Sequence, residues 1–172
     1  DALAATLMAL RVGSIVAIKG VGGYHLVCDA RNTDAVSTLR ARKPRPAKPL
    51  AVMFPDLAWA ERCVDLRDEE RNLLCSPIRP IVLARKHGET ILAESIAPGL
   101  NEIGVLLPYA PLHHLLCSTF AGPLVMTSGN LSGEPVLTDN TEAQNRLARV
   151  ADAFLHHNRP IVRPADDPVF RT

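Results

Sequence analysis

The sequence predicts an α/β fold in which helices cover one sheet, and three observations lead to this prediction. Short apolar runs rich in β-branched residues alternate with segments of helical spacing, and no internal repeat interrupts them. The chain has 172 residues, of which 47% are hydrophobic, enough for one core of ordinary size. No linker or low-complexity segment divides the chain, so residues 1–172 are expected to form a single domain.

The predicted helices are placed by apolar spacing and by capping residues. Leucines at helical spacing give a first helix that Gly13 ends, and Asn32 or Thr33 can cap a second helix. Pro111 suits the first residue of a later helix. The predicted helices lie near residues 3–10, 33–41, 55–62 and 67–75, and begin near 111 and 139.

The predicted strands are short apolar runs separated by turn residues. They lie at 14–18, 24–28, 50–54, 80–84, 103–107 and 124–126, with shorter strands near 152–156, 160–163 and 168–171. Residues 19–23 form a Gly-rich turn between the first two strands. This turn lacks the GK[ST] of a Walker A loop and fits GxGxxG poorly, so a simple turn is the plainer interpretation.

Charge and composition exclude several classes of protein. The net charge of +1 gives no bulk attraction to nucleic acid or membrane, yet residues 1–50 carry +5 and residues 51–172 carry −4. The basic first part therefore suits an anionic ligand. The chain contains no run of about 18 apolar residues, so no membrane span is predicted. The four cysteines form no CxxC pair and are expected to be reduced, as in a cytoplasmic protein.

A cluster of cations is the first candidate for chemistry. Five of them fall within nine residues: Arg40, Arg42, Lys43, Arg45 and Lys48. Three interleaved prolines stiffen the backbone there, and several cations held in place suit a triphosphate. The alternative is a solvated basic surface, which is the usual role of a bare charge run.

A polar loop at 127–135 is the second candidate. It follows an apolar strand and offers three hydroxyls, one side-chain amide and two glycines. Hydroxyls and N–H groups bind phosphate oxygens, glycines permit close approach, and loops at strand ends of α/β sheets commonly bind ligands. The alternative is a plain turn, which Ser-Gly-Asn also forms.

The C-terminal segment and the histidines give weaker signals. Asp166 and Asp167 either hold a magnesium–nucleotide or pair with Arg163 as a surface ion pair. The six histidines lack HExxH spacing, and the adjacent His113 and His114 face different directions on a helix. We therefore predict no metal site of the protein's own, apart from magnesium carried by ATP phosphates.

Together these motifs resemble a known family. The run at 43–53 is similar to the KxR…PL motif of the YrdC-like superfamily, and the run at 127–133 to its TSxNxSG motif. Three further stretches, at 18–32, 96–116 and 157–171, resemble the HypF branch, the hydrogenase-maturation carbamoyltransferases. The resemblance covers nearly the whole chain, which begins with Asp1 and is expected to be a piece of a longer multidomain protein.

The resemblance implies a fold and a set of site residues. The fold would be the YrdC/RibB-like open twisted sheet, with flanking helices and a concave, positively charged cavity. The implied catalytic residues are Lys43, Arg45, Ser128 and Asn130. The implied nucleotide contacts are Lys43, Arg45, Lys48, Thr127, Ser128, Asn130, Ser132 and Arg163. The acyl side would be lined by Lys19, Tyr24 and His25.

The resemblance also implies an activity. In HypF proteins this domain condenses carbamate with ATP and Mg²⁺, giving carbamoyl-AMP and pyrophosphate. An acylphosphatase-like domain of the same polypeptide, which also has a zinc-finger domain, supplies the carbamate from carbamoyl phosphate. A further carbamoyl-transfer domain passes the carbamoyl group to HypE, where it becomes a cyanide ligand of [NiFe] hydrogenase.

Two departures and two alternatives qualify this interpretation. Pro168 replaces the serine of the usual DDSV pattern, which removes a hydroxyl. Leu106 stands where threonylcarbamoyl-AMP synthases, which act in tRNA modification, commonly carry an arginine. That difference argues against this first alternative. The second, a module that binds double-stranded RNA or nucleotides, is disfavoured because no aromatic residue lies between Arg40 and Lys48.

Overall fold

The computed structural model describes residues 1–44, 48–131 and 133–172. The helices are α1 (Ala2–Arg11), α2 (Thr33–Arg42), α3 (Leu57–Glu61), α4 (Asp68–Cys75), α5 (Pro111–Phe120) and α6 (Asn140–Leu147), with a 3₁₀ turn at Glu94–Ile96. The strands are β1 (Val16–Lys19), β2 (Tyr24–Asp29), β3 (Ala51–Met53), β4 (Val64–Asp65), β5 (Ile81–Lys86), β6 (Glu102–Leu106), β7 (Leu124–Ser128), β8 (Ala153–Leu155) and β9 (Val169–Phe170).

Across the described residues the strands form one mixed sheet. Its order is β4-β5-β6-β3-β7-β2-β1-β8, and β9 pairs with β5. The pairs β1–β8, β3–β6 and β5–β9 are parallel, and the remaining pairs are antiparallel. Because β7 lies between β2 and β3, segments far apart in sequence meet at the centre of the sheet, where His25 faces Ser128.

The sheet has two faces with different coverage. The first face packs against α2, α3, α4 and α6, and its core includes Val36, Leu74 and Leu147. The second face packs against α1 and α5, and its core includes Leu10 and Leu116. Side chains alternate between the faces along each strand, as pleating requires. Over β5, β6, β3 and β7 the second face opens into the cavity described below.

Local sequence explains where the main helices begin and end. The Asn32 side chain accepts a hydrogen bond from the N–H of Ala35 and caps α2, and the Asp139 side chain caps α6 in the same way. Pro111 is the first residue of α5, and Gly13, with φ +87°, follows α1. These helix predictions are confirmed.

The predicted α/β fold is confirmed, and one predicted strand is wrong. Residues 160–163 form no strand, and Val162 and Arg163 are exposed. Pro160 has no N–H to donate to a sheet ladder, and Pro164 follows the run directly, so the segment is poorly suited to a strand. No helix among the described residues combines the length and apolar character needed to cross a membrane.

Candidate active site

A cavity of about 990 Å³ opens on the second face of the sheet. Its volume lies at the upper end of the usual range for small-molecule sites. Its floor consists of alternate residues of four strands: Ile81, Leu83 and Arg85 of β5, Glu102 and Gly104 of β6, Ala51 of β3, and Met126 and Ser128 of β7.

Small residues keep the floor of the cavity low. Ala51 and Gly104 are neighbours across β3 and β6. A Cβ atom on Gly104 would lie 2.9 Å from Cγ2 of Ile81 and 3.3 Å from Cβ of Ala51. Any side chain at this position would therefore have to displace Ile81, and the backbone of β6 forms part of the floor.

Lys43 reaches this cavity from the end of α2 and is almost completely buried, with 3% exposure. The following Pro44 disfavours helical geometry at residue 43, which is extended, with φ −107° and ψ 91°. The Nζ atom donates to the backbone oxygen and to Oγ (3.3 Å) of Ser128, and to Oδ1 of Asn130 (3.0 Å). A buried ammonium group needs such acceptors. The structure thus brings together three of the four residues implied as catalytic.

The loop after β7 is shaped by its own hydrogen bonds and by a close approach to β2. Oγ of Ser128 donates to Oδ1 of Asn130 over 2.7 Å, and Nδ2 of Asn130 donates to the backbone oxygen of Glu134. Between them, a Cβ atom on Gly129 would lie 2.5 Å from Cβ of Tyr24. Glycine is therefore required here because the backbone touches the neighbouring strand.

The five clustered cations do not all reach the cavity. Lys43 and Lys48 line it. Arg40 instead donates to the backbone oxygen of Ile96, and Arg42 pairs with Asp152 over 2.6 Å. The expectation that the whole cluster would face one ligand is therefore wrong for Arg40 and Arg42. Arg45 lies outside the described residues, as does Ser132 of the polar loop.

The charged lining of the cavity is mixed. Its described basic residues are Lys43, Lys48, Arg85 and Arg171, and its described acidic residues are Glu102, Asp166 and Asp167. Arg171 and Glu102 form an ion pair with each other. A net positive charge in the cavity stays a prediction.

The C-terminal tail, residues 164–172, closes part of the cavity. The N–H of Ala165 donates to the oxygen of Gly22 over 3.0 Å, and the N–H of Ile81 donates to the oxygen of Pro168 over 2.9 Å. A Cβ atom on Gly22 would lie 2.6 Å from the oxygen of Ala165. The Gly-rich turn therefore serves as a surface on which the tail lies, and Asp166 and Asp167 are held between these two anchors.

A buried group of titratable side chains adjoins the tail. The hydroxyl of Tyr109 lies 3.4 Å from Nε2 of His25, and its ring packs edge-on against His113. Burial and then the neighbouring Asp167 carboxylate raise the pKa of this hydroxyl. Burial and then the Lys43 ammonium lower the pKa of His25 to about 4. Burial and then His25 lower the pKa of His113 to about 4. Both rings are therefore neutral near pH 7. Burial also raises the pKa of Asp167.

The three residues implied for the acyl side are separated by the sheet. His25 lies on the second face, between first-face neighbours Tyr24 and Leu26. Lys19 pairs with Tyr24 in the sheet, and the register places it on the first face too. Its Nζ atom donates to the backbone oxygen of His157 over 3.2 Å, and the Tyr24 hydroxyl lies 2.6 Å from Nδ1 of His156. None of Lys19, Tyr24 and His25 is among the described residues that line the cavity, so the acyl-side role of all three stays a prediction.

The remaining implied nucleotide contacts are divided. Thr127 lines the cavity, whereas the exposed Arg163 is not among the described residues that line it. Arg85 also lines the cavity and was not predicted as a site residue. The predicted strand ended at Ala84, but β5 continues to Lys86, and Arg85 shares the cavity face with Ile81 and Leu83. The period of two along this strand was the signal that could have found it.

A family model matches nearly the whole chain. The model described as Sua5_yciO_yrdC, telomere recombination, matches residues 8–172. The chain belongs to the Sua5/YciO/YrdC family. The resemblance drawn from the motifs around Lys43 and Ser128 is thereby confirmed.

Curated relatives place the chain within longer proteins. The carbamoyltransferase HypF of Rhodobacter capsulatus is 52% identical over 171 residues, which are 99% of this chain and 23% of the relative. That of Synechocystis sp. is 52% identical over 160 residues, which are 93% of this chain and 21% of the relative. The chain thus spans about a fifth of these relatives' length and corresponds to their YrdC-like part.

Solved structures agree. A crystal structure of full-length HypF in the phosphate- and nucleotide-bound form gives a TM-score of 0.95 at 48% identity, over 99% of this chain and 27% of that one. P. abyssi Sua5 complexed with L-threonine gives a TM-score of 0.86 at 20% identity, over 99% of this chain and 50% of that one, and shares the fold. The predicted YrdC-like open sheet with flanking helices is confirmed.

Proposed function

We propose that this chain uses ATP to convert carbamate into carbamoyl-adenylate, releasing pyrophosphate, as one domain of a HypF-type carbamoyltransferase. The observation that carries the proposal is the buried Lys43 ammonium, which Ser128 and Asn130 hold at the cavity. Identity of 52% to HypF carbamoyltransferases supports the HypF role. The nucleotide-bound form of a HypF relative supports a nucleotide as ligand.

The reaction requires two anions to be held together. A carbamate oxygen attacks the α-phosphorus, and the bond from that phosphorus to the bridging oxygen breaks, with its electron pair leaving on pyrophosphate. Catalysis then depends on positioning and on stabilising negative charge in the transition state. Lys43, Lys48 and Arg85 supply positive charge at the cavity, and Ser128 and Asn130 orient phosphate oxygens. Arg45, Thr127, Ser132 and Arg163 remain proposed nucleotide contacts.

Mg²⁺ is expected to accompany ATP and to neutralise part of the phosphate charge. This ion prefers carboxylate and phosphate oxygens and usually keeps several waters. Asp166 is an exposed carboxylate in the cavity lining and fits the role of a protein ligand.

The position of Leu106 supports carbamate over threonine as the acyl precursor. Its side chain is fully buried in the apolar core of the second face, beside residues of α5. A guanidinium at this place would require a buried partner. The arginine that threonine-using relatives commonly carry is therefore replaced by core packing.

Because the relatives are much longer than this chain, we propose further domains of the same polypeptide as its partners. We propose that an acylphosphatase-like domain of the same polypeptide supplies carbamate, beside a zinc-finger domain. A carbamoyl-transfer domain then passes the product to HypE. RNA is not proposed as a ligand, because the clustered cations Arg40 and Arg42 bond within the chain.

Substrate-dependent pyrophosphate exchange tests the proposal. The chain is incubated with ATP, magnesium, carbamoyl phosphate and an acylphosphatase domain in trans, and the exchange of labelled pyrophosphate into ATP is measured. Exchange that depends on carbamate supports the assignment. A robust product with threonine and bicarbonate, identified by mass spectrometry, would instead make the chain a threonylcarbamoyl-AMP synthase.

A further inference from the structure

Asp167 is a carboxylate in a cavity that the proposed function fills with anions. It lines the cavity and is half-buried, and its carboxylate is close enough to the Tyr109 hydroxyl to raise the pKa of that group. No ion pair to Asp167 is present within 1–44, 48–131 and 133–172. An ionised carboxylate accepts about four hydrogen bonds, so it has capacity beyond this one contact.

The neighbours of Asp167 place it near the phosphate contacts. Tyr109 links it to His25, and His25 faces Ser128 across β2 and β7. Oγ of Ser128 in turn lies 3.3 Å from Nζ of Lys43. Asp167 is therefore one strand away from the groups proposed to hold the phosphates, where the acyl group would be joined to the nucleotide.

The surrounding histidines cannot neutralise this carboxylate near pH 7. His25 and His113 are 7% and 1% exposed, and the pKa of each is lowered to about 4 by burial. Their Nδ1 atoms have no hydrogen-bond partner among the described residues. Among the described residues Asp167 therefore has no charged partner, and its ionised carboxylate repels a carboxylate or phosphate placed against it.

From this arrangement we propose that Asp167 accepts a hydrogen bond from the amino group of the acyl substrate. The inference rests on the proposed function and deepens it. Of the groups that carbamate brings, only the amino end donates hydrogen bonds, so Asp167 attracts that end and repels the carboxylate end. The carboxylate oxygens are thereby turned toward the α-phosphorus. Asp167 selects small acids that carry a hydrogen-bond donor on the carboxyl carbon, and Tyr109 positions it.

Two stable adenylate analogues isolate this contact without requiring turnover. In 5′-O-(N-carbamoylsulfamoyl)adenosine the terminal amino group stands for the acyl amine, whereas 5′-O-(N-acetylsulfamoyl)adenosine carries a methyl group at the same place. Calorimetry on the 172-residue chain measures both affinities. The wild type is expected to prefer the carbamoyl compound at least tenfold, which corresponds to about 1.4 kcal/mol.

Variants assign the preference to a residue. Asp167→Ala is expected to reduce it to within about threefold, and Asp167→Asn to lose most of it, because a neutral amide oxygen accepts more weakly than a carboxylate. Tyr109→Phe is expected to give an intermediate preference, since it removes the orienting hydroxyl. Asp56→Asn is the matched control: Asp56 caps α3 outside this cavity, asparagine caps equally well, and the preference should stay at the wild-type value.

Several results would overturn the inference. If Asp167→Ala keeps the wild-type preference between the two analogues, another group binds the amine. Equal weakening of both analogues shows that Asp167 only anchors the tail, and melting curves of Asp167→Asn reveal such loosening. A wild type without preference, but with carbamate-dependent exchange, rejects the role of Asp167 and leaves the proposed function standing. A wild type that binds ATP but neither analogue rejects both.

Discussion

Two segments bring charged groups to the same cavity, and the chain holds them in different ways. Lys43 is buried and bonded to atoms of Ser128 and Asn130, and it extends from a helix to a central strand. The tail at 164–172 is mostly exposed and is held by backbone hydrogen bonds, a two-residue strand and the Arg171–Glu102 ion pair.

This difference indicates a division of labour. Groups on rigid, packed elements are fixed in place before a ligand arrives, as stabilisation of a transition state requires. Groups on a lightly held segment can be rearranged at lower free energy, because few buried contacts oppose the movement. Changes near Lys43 should therefore act on nucleotide affinity and rate, and changes under the tail should act on its attachment.

Lys43→Ala is expected to have the largest effect. Loss of a charge-assisted contact to phosphate weakens binding by about 1.5–3 kcal/mol, or roughly tenfold to more than a hundredfold in ATP affinity. Calorimetry on the folded variant measures it. Lys48→Ala is the matched control, since this exposed cation should contribute no more than about 1 kcal/mol. Equal losses in both variants would contradict the distinction between a fixed and a solvent-screened cation.

Gly22→Ala tests how the tail is attached. The added Cβ atom would lie 2.6 Å from the oxygen of Ala165, so the tail has to shift. Overpacking of this kind destabilises by about 1–3 kcal/mol, which lowers the melting temperature by roughly 2–12 °C in a domain of this size. Faster proteolysis within the tail should accompany the change.

Gly88→Ala provides the control for that variant. A Cβ atom on Gly88 meets nothing within 4 Å, so neither melting nor tail proteolysis should change. Equal melting curves for the two alanine variants would show that the tail is not held through Gly22.

Asn130→Ala tests whether Asn130 acts on the rate of adenylate formation or on the stability of the fold. The side chain contacts Lys43 and Ser128, so its loss should lower the rate of adenylate formation by about tenfold, equivalent to roughly 1.4 kcal/mol of barrier. The melting temperature should stay within a few degrees. Melting and turnover are measured on one preparation. A destabilised but fully active variant would mean that Asn130 acts only in the turn, through its bond to Glu134.

Because histidines are buried next to the tail, we predict that the free energy of unfolding depends on pH. The pKa of His113 is lowered from 6.5 to about 4, so the unfolded chain binds more protons between these values. The stabilising contribution is present above pH 6.5 and is lost as the pH falls toward 4. His113→Gln should flatten this slope by at most about 1.4 kcal/mol per pH unit. Denaturant unfolding at several pH values measures it.

His114→Gln is the control for that measurement. His114 is exposed on the same helix, and its replacement should leave the slope unchanged. Equal slopes for His113→Gln and the wild type would show that this buried ring does not set the pH response.

Local patterns explain why much of the fold was predictable. Apolar runs located most strands, capping residues located the helix starts, and the motifs around Lys43 and Ser128 identified the centre of the site. Each signal lies within a dozen residues of sequence, where side-chain period and backbone preference act directly.

The missed features depend on pairing between distant segments. Asp167 joins Tyr109 and His25 only because the tail crosses from the Gly-rich turn to β5, a path that no local pattern specifies. Residues 160–163 look like a strand but pair with no strand of the described sheet. The separation of Tyr24 from His25 was within reach of sequence reasoning, since adjacent strand residues point to opposite faces.

The bare stretch of β6 at Gly104 has a consequence for how this site can diverge. A ligand lying over it would touch main-chain atoms, whose shape and polarity are the same for every amino acid. Drift in sequence alters side chains but leaves such a surface nearly constant, whereas one added methyl group at Gly104 would collide with Ile81. In proteins with this fold, new ligand preferences are thus expected to arise from changes at the edge of the cavity and in the tail, while the floor of the cavity stays the same.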